Sequence, residues 1–274
     1  MRYLITGNKG QLGRALQRRL PEAAGIDLPE VDICDSTALE RIMAAVRPDL
    51  ILHCAAMTDV DGAARDPALA YRINGLGTQN VALAAGQAGA AMLYISTNEV
   101  FDGARSTPYT EFDLPNPINA YARSKLAGEW FATHLLPRFF VARTAWLTAA
   151  GGRNFVHRIQ QLADERGSLR VVTDEVANPT FCEDLADALL KLVATAHYGI
   201  YHLTNAGYCS RYDYARKVLD LSGRGHVAIE PITLAAYPRA STPPPFAPMT
   251  NIAAAALGIT LRPWEAALEE FLRS

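Results

Sequence analysis

Short runs of apolar residues alternate with longer segments of helical period through the first half of the chain. "RYLIT" precedes "QLGRALQRRL", "AAGID" precedes "STALERIMAAV", and "DLILHCAA" precedes "PALAYRINGLGTQNVALAAGQAG". "AMLYIST" precedes "AYARSKLAGEWFATHLL", and "RFFVART" closes the series. The short runs are apolar at nearly every position, as in strands covered on both faces. Strands alternating with helices predict an α/β fold, a parallel doubly wound sheet with right-handed crossovers. Asp35-Ser36 before "TALERIM" marks one helix start.

After the fifth run the rhythm loosens. Helical patterns continue at "NFVHRIQQLADERG", "CEDLADALLKLVATA", "RYDYARKVLDLSG" and "PWEAALEEFLRS", with short strand candidates at "LRVVT" and "GIYHLT". The prolines of "YPRASTPPPFAPMT" exclude a regular element and predict a surface loop. The expected organisation is a Rossmann-like dinucleotide-binding core over residues 1–147, with later segments returning to it. Residues 148–274 are then mainly a smaller C-terminal substrate-binding lobe, and a cleft separates the two.

A chain of 274 residues is long enough to bury such a core. Its formal net charge of -2 offers no basic field, so nucleic acid has no compositional support as a partner. The four cysteines, Cys34, Cys54, Cys182 and Cys209, and the six histidines are scattered without metal-ligand spacing. No metal is expected, and a reducing cytoplasm is the simplest compartment. Met1-Arg2 leads straight into "YLITG", too short for a signal-peptide core, and no apolar run is long enough for a membrane span.

The first strand runs into Gly7, Gly10 and Gly13, immediately before a helix. In such a turn one glycine permits the tight bend, another lets backbone amides approach a pyrophosphate, and the last lets helix and strand pack closely. The side chain that reads the adenosine ribose stands about 20 residues further on, where "AGIDL" places Asp27. A carboxylate accepts from a ribose 2′-hydroxyl and repels a 2′-phosphate, favouring NADH over NADPH. Lys9 and Arg14 flank the turn and could offset that repulsion. Asp32 and Ile33 in "VDICD" are adenine-edge candidates.

Tyr121 and Lys125 stand four apart at the start of a predicted helix and so share a face. To exchange a proton near neutrality, a phenol of pKa about 10 must shift by roughly 3 units, about 4 kcal/mol. A neighbouring ammonium would supply part of that shift. In "YISTNEVFDG", Ser96 and Thr97 close the fourth predicted strand at its carboxyl edge, where open α/β sheets bind ligands. A hydroxyl there can hold a carbonyl oxygen for the tyrosine.

Taken together, these stretches resemble the extended short-chain dehydrogenase/reductases, and within them the dTDP-4-dehydrorhamnose reductase family. The likeness is carried by "TGNKGQLGRAL", "VDICD", "RPDLILHCAAMTDVDGAARDPALAYRINGLGTQNVA", "YISTNEVFDG", "PYTEFDLPNPINAYARSKLAGE", "RTAWL", "NFV", "NPTFCEDLA" and "LGITLRPWEAALEEFL". The resemblance implies Thr97 as the substrate-orienting hydroxyl, Tyr121 as the acid and Lys125 as its partner, the last two also meeting the cofactor. It implies that Gly7, Gly10, Gln11, Leu12 and Gly13 hold the pyrophosphate, that Ala55, Ala56 and Met57 line the cofactor, and that Asn74 sits behind the lysine. Thr58, Val60, Asn98, Trp146, Asn178 and Thr180 fall at substrate-side positions. Four departures cluster there: Asn98 and Glu99 where the family reads "DY", and Glu175 and Ala177 where it reads Gln and Gly.

The implied activity is NADH- or NADPH-dependent reduction of the C4 keto group of a nucleotide-linked 6-deoxy sugar, giving dTDP-L-rhamnose for polysaccharide biosynthesis. A different keto-sugar reductase, a nucleotide-sugar epimerase and a non-catalytic dinucleotide-binding regulatory subunit are the alternatives. A cytoplasmic protein is expected, with a homodimer allowed.

Overall fold

The computed structural model describes residues 1–151 and 154–273; Gly152, Arg153 and Ser274, which ends the closing helical pattern, lie outside the described residues. Five strands of the first half join one sheet: β1 (Tyr3–Thr6), β2 (Ala24–Ile26), β3 (Leu50–His53), β4 (Ala91–Thr97) and β5 (Phe139–Thr144). The strand Gly199–His202 returns from the C-terminal half to pair with β5, giving the order Gly199–His202, β5, β4, β3, β1, β2. Every pairing is parallel. The order reverses between β1 and β3, which opens a crevice at the carboxyl ends of those strands.

Alternate residues of the strands feed two apolar layers. Ile5, Leu52, Leu93 and Phe140 face the helices Gln11–Arg19 (α1) and Cys182–Thr195. Leu4, Ile51, Met92 and Tyr94 face Ser36–Val46 (α2), Thr78–Ala88 and Ala120–Leu135. Each such buried side chain contributes roughly 1.5–3 kcal/mol. Arg19 ties the first layer together by reaching across to Glu183 at 2.5 Å and to Asp187. A third apolar cluster is built on Val156, Ile159, Tyr214, Val218, Trp264 and Leu268, all from the C-terminal half of the chain.

Three local features differ from the sequence expectation. The long helical pattern after β3 is divided into Pro67–Ala70, a π-helical turn Tyr71–Gly77 and Thr78–Ala88. The widened turn lies against Ala120–Leu135, where a Cβ on Gly128 would fall 2.8 Å from the Asn74 carbonyl and 2.3 Å from the Tyr94 hydroxyl. The strand Ala228–Ile232, in parallel with Ser168–Val172, had no sequence signal because Glu230 and Pro231 interrupt it. The proline-rich segment is a surface loop only in part. Ser241, Ala247 and Met249 are buried, and its backbone pairs with Tyr109 and Val176, so main-chain groups there find partners without regular structure.

Candidate active site

The crevice is a cleft of about 890 Å³. At one end lie Gly7, Gly10, Gln11, Leu12, Gly13, Asp27, Asp32 and Ile33, and at the other Thr97, Asn98, Glu99, Tyr121, Lys125 and Trp146. Ala55, Ala56, Met57, Thr58 and Val60 line the wall between.

The glycine end is made of backbone. Gly7 leaves β1 at φ 68°, a left-handed conformation, and donates its N–H to Ile26 at 2.8 Å. A Cβ on Gly13 would stand 2.1 Å from the Gly7 carbonyl oxygen, so the turn and α1 close only around glycine. Gly10 is the N-cap of α1 and, being glycine, makes no side-chain capping bond to the helix's first amides. Those amides and the helix dipole suit an anion, so the residues present fit a dinucleotide pyrophosphate.

Asp27 follows β2 directly. Its carboxylate accepts the backbone N–H of Lys9 at 2.9 Å and of Leu28 at 2.8 Å. The Lys9 ammonium pairs with Glu30 at 2.5 Å and donates to the Leu28 carbonyl at 3.0 Å. Asp32 accepts the Cys34 N–H at 2.8 Å, which forms the loop that carries Ile33.

Asn74 is not in the cleft wall but behind it. Its side chain accepts from the Met57 N–H at 2.8 Å and donates to the Met57 carbonyl at 3.0 Å and to Ser124 Oγ at 2.9 Å. One amide thereby fixes the cofactor-side loop to the helix turn that carries Lys125.

At the other end the groups are buried side chains. Thr97 ends β4 beside Thr144 of β5, and its hydroxyl faces the Tyr121 phenol closely enough to stabilise a phenolate. Asn119 caps the helix Ala120–Leu135 by accepting the Ala122 N–H at 2.8 Å, which sets the first turn and so the direction of Tyr121. Lys125 is 3% exposed, with its ammonium 4.2 Å from the Tyr94 ring centroid. Burial holds its pKa down to about 7, against the opposing pull of Glu129. Glu129 itself is buried and accepts from Ser96 Oγ at 2.5 Å and from Arg143 at 2.9 and 2.7 Å.

The expected lowering of the Tyr121 pKa by Lys125 is corrected here. Burial pushes the phenol up, the Glu99 charge adds to the rise, and only the Thr97 hydroxyl works the other way. Tyr121 is therefore held protonated, the form a proton donor needs.

Trp146 lines the cleft in a left-handed conformation, φ 42°. Arg211 covers one face of its ring at 3.6 Å and pairs with Glu175 at 3.0 Å. Asn98 is buried, its amide donating to the Ala247 carbonyl at 3.1 Å. Asn178 and Thr180 do not line the cleft. Asn178 bonds the backbone of Gly207 and Met249, and Thr180 bonds the Asn178 carbonyl, so both clamp the lobe rather than face the opening. Asn119, Glu129 and Arg211 were missed from the sequence. An N-cap asparagine just before Tyr121 and a glutamate one turn beyond Lys125 were the available signals.

Among the described residues, no group of three His, Cys, Asp or Glu side chains could hold a metal ion. Within the same residues no helix is long and apolar enough to cross a membrane.

A Rossmann sheet with a glycine turn after β1, a hydroxyl at the end of β4 and a Tyr/Lys pair on the next helix defines the extended short-chain dehydrogenase/reductase class. The chain belongs to the RmlD substrate binding domain family, whose model matches residues 1–274. It is 37% identical to a dTDP-4-dehydrorhamnose reductase of Mycobacterium tuberculosis, over 97% of this chain and 91% of that one. It is 34% identical to the spore coat polysaccharide biosynthesis protein SpsK of Bacillus subtilis, over 99% and 97%. A dTDP-4-dehydrorhamnose reductase from Clostridium acetobutylicum superposes with a TM-score of 0.96 at 38% identity, covering 100% of this chain and 99% of that one. The enzyme of the same name from Bacillus anthracis, solved in complex with NADP, gives 0.94 at 37% identity over 99% and 98%.

Proposed function

We propose that this protein is an oxidoreductase that reduces the C4 keto group of a nucleotide-linked 6-deoxy sugar, dTDP-4-dehydro-L-rhamnose, to dTDP-L-rhamnose. The observation that carries the reading is the meeting of Thr97, Tyr121 and Lys125 in the same cleft as an uncapped helix N-terminus. The names of the relatives agree with it. A nicotinamide dinucleotide supplies the hydride when bound. Gly7, Gly10, Gln11, Leu12 and Gly13 hold its pyrophosphate, and Ala55, Ala56 and Met57 line its path towards Lys125.

The chain's own residues handle the carbonyl oxygen. Thr97 donates a hydrogen bond to it, and Tyr121 gives up its proton as negative charge develops there. An alkoxide is far more basic than a phenolate, so the raised pKa of Tyr121 does not obstruct the transfer. The Thr97 hydroxyl is the group that stabilises the phenolate left behind, and Lys125 stands one helical turn beyond Tyr121 in the same cleft. Trp146, backed by Arg211, offers a flat apolar face to the sugar.

The surroundings of Asp27 support NADH as the preferred cofactor. Lys9, whose backbone N–H bonds Asp27, has its ammonium paired with Glu30, which leaves it less able to receive a 2′-phosphate.

The test follows oxidation of NADH, then NADPH, by the purified protein with dTDP-4-dehydro-L-rhamnose. Rapid oxidation with formation of dTDP-L-rhamnose is the expected result. Cofactor binding without turnover would favour the regulatory-subunit alternative, and retained cofactor with no net oxidation would favour an epimerase.

A further inference from the structure

We propose that Glu99 is a specificity-determining residue, its carboxylate accepting a hydrogen bond from the hydroxyl on the sugar carbon next to the reacting carbonyl. The inference rests on the reductase reading and goes beyond it in assigning this side chain a ligand. Three carboxylates line the cleft, Asp27, Asp32 and Glu99, and the first two stand at the glycine end. Glu99 is thus, among the described residues, the one carboxylate that lines the cleft at the Tyr121 end.

The carboxylate is held in place. Asn119 Nδ2 donates to Glu99 Oε2 at 2.7 Å and also to the Thr242 carbonyl at 3.2 Å, while Asn119 Oδ1 caps the helix that bears Tyr121. One asparagine therefore fixes the acid relative to the catalytic phenol. The Glu99 backbone N–H bonds Thr97 Oγ1 at 3.2 Å, which fixes it to the other carbonyl-facing group as well.

Burial raises the Glu99 pKa on balance, with Glu175 adding to the rise, while the Asn119 hydrogen bond and the charges of Arg239 and Arg211 oppose it. Glu99 and Tyr121 line the same end of the cleft, and Asn119 ties the carboxylate to the first turn of the helix that carries the phenol. Among the uncharged neighbours of Glu99, Asn98 donates Nδ2 to the Ala247 carbonyl at 3.1 Å and its Oδ1 accepts from Thr97 Oγ1 at 3.4 Å, so both ends of that amide already have partners.

The experiment compares wild type, Glu99→Gln and Glu99→Ala on dTDP-4-dehydro-L-rhamnose and on its analogue lacking the C3 hydroxyl. NADH affinity and Tm are measured alongside. Gln preserves an acceptor for Asn119 and guards against a misfolded Ala variant. The expected result is a fall in kcat/KM of about tenfold to a hundredfold on the full sugar, the range for loss of a charge-assisted hydrogen bond. NADH affinity is unchanged, and the gap between wild type and variant disappears with the 3-deoxy analogue. Variants as active as wild type, or a gap of equal size with both sugars, would overturn the assignment. A wild-type protein that reduces no keto sugar would overturn the reductase reading, and the assignment with it.

Discussion

At the β1 end of the cleft the ligand meets main chain: amides at the start of α1, a glycine that bends left-handed and another that leaves no room for a methyl group. At the β4 end it meets side chains taken from water: Thr97 and Lys125 buried, Tyr121 half-buried, and a carboxylate held by an asparagine. The first kind of site tolerates almost any side chain pointing outward but no Cβ pointing inward. The second tolerates backbone variation but depends on charge and protonation. Substitutions at the two ends should therefore fail in different ways, in binding at one and in chemistry at the other.

The largest effect is expected at Tyr121. Tyr121→Phe removes the proton donor without emptying the space, and kcat should fall by about 10²- to 10⁴-fold, the usual worth of a positioned general acid. Cofactor affinity, measured by NADH fluorescence, should change little. Wild-type turnover in this variant would remove Tyr121 as the acid and weaken the division between the two ends.

Gly13→Ala tests the other end. The new methyl group would press on the Gly7 carbonyl, and relief requires the turn to open. NADH affinity should fall by about tenfold to a hundredfold, with kcat at saturating cofactor largely kept. A variant that binds normally but turns over slowly would show that the glycine end also sets the geometry of the reaction.

These contrasts explain what could be seen in the sequence. Gly7, Gly10 and Gly13 were legible because a backbone site leaves its mark as an absence of side chains at fixed spacing. Tyr121 and Lys125 were legible through helical periodicity, and the six-stranded sheet through its apolar runs. The protonation of Tyr121 was not, since it depends on burial and on Glu99, which reaches it through a fold and not through spacing. Asn178 and Thr180 sit in a motif-like stretch yet serve as clamps, a distinction set by which neighbours their amide and hydroxyl find. The segment around Ser241 and Ala247 looked like a surface loop because its partners, Asp61, Asn98 and Tyr109, lie more than a hundred residues away in the chain.

Lys125 allows a sharper test of the buried end, because its charge costs stability. With a folded pKa of about 7 against 10.5, the unfolded chain holds a proton between those values that the folded one lacks. Stability contributed at this position therefore rises with pH through that window and is lowest below pH 7. Lys125→Met should be inactive yet more stable than wild type below pH 7, by on the order of a few kcal/mol at most, since the contact with Tyr94 is lost too. The gap in Tm should close towards pH 10. A variant less stable than wild type at pH 6 would mean that Glu129 and Tyr94 more than compensate the buried charge.

The smallest expected effect lies at Asp27, and it asks whether the glycine end carries any side-chain selectivity at all. Its carboxylate already accepts two backbone amides and faces Lys9, whose ammonium is neutralised by Glu30. Asp27→Ala removes the repulsion of a 2′-phosphate and the acceptor for a 2′-hydroxyl together, and it also leaves the Lys9 ammonium freer to turn towards the phosphate. The ratio of kcat/KM for NADH to that for NADPH should then fall by a few-fold to tenfold, about 1 kcal/mol, through exposed groups screened by water. An unchanged ratio would place cofactor choice in the backbone path of the turn, and Lys9→Ala, which removes the cation that a 2′-phosphate would need, would then also leave it unchanged. A larger collapse, beyond a hundredfold, would show that the carboxylate acts in a drier setting than its exposure implies, and the contrast between a main-chain end and a side-chain end would have to be redrawn.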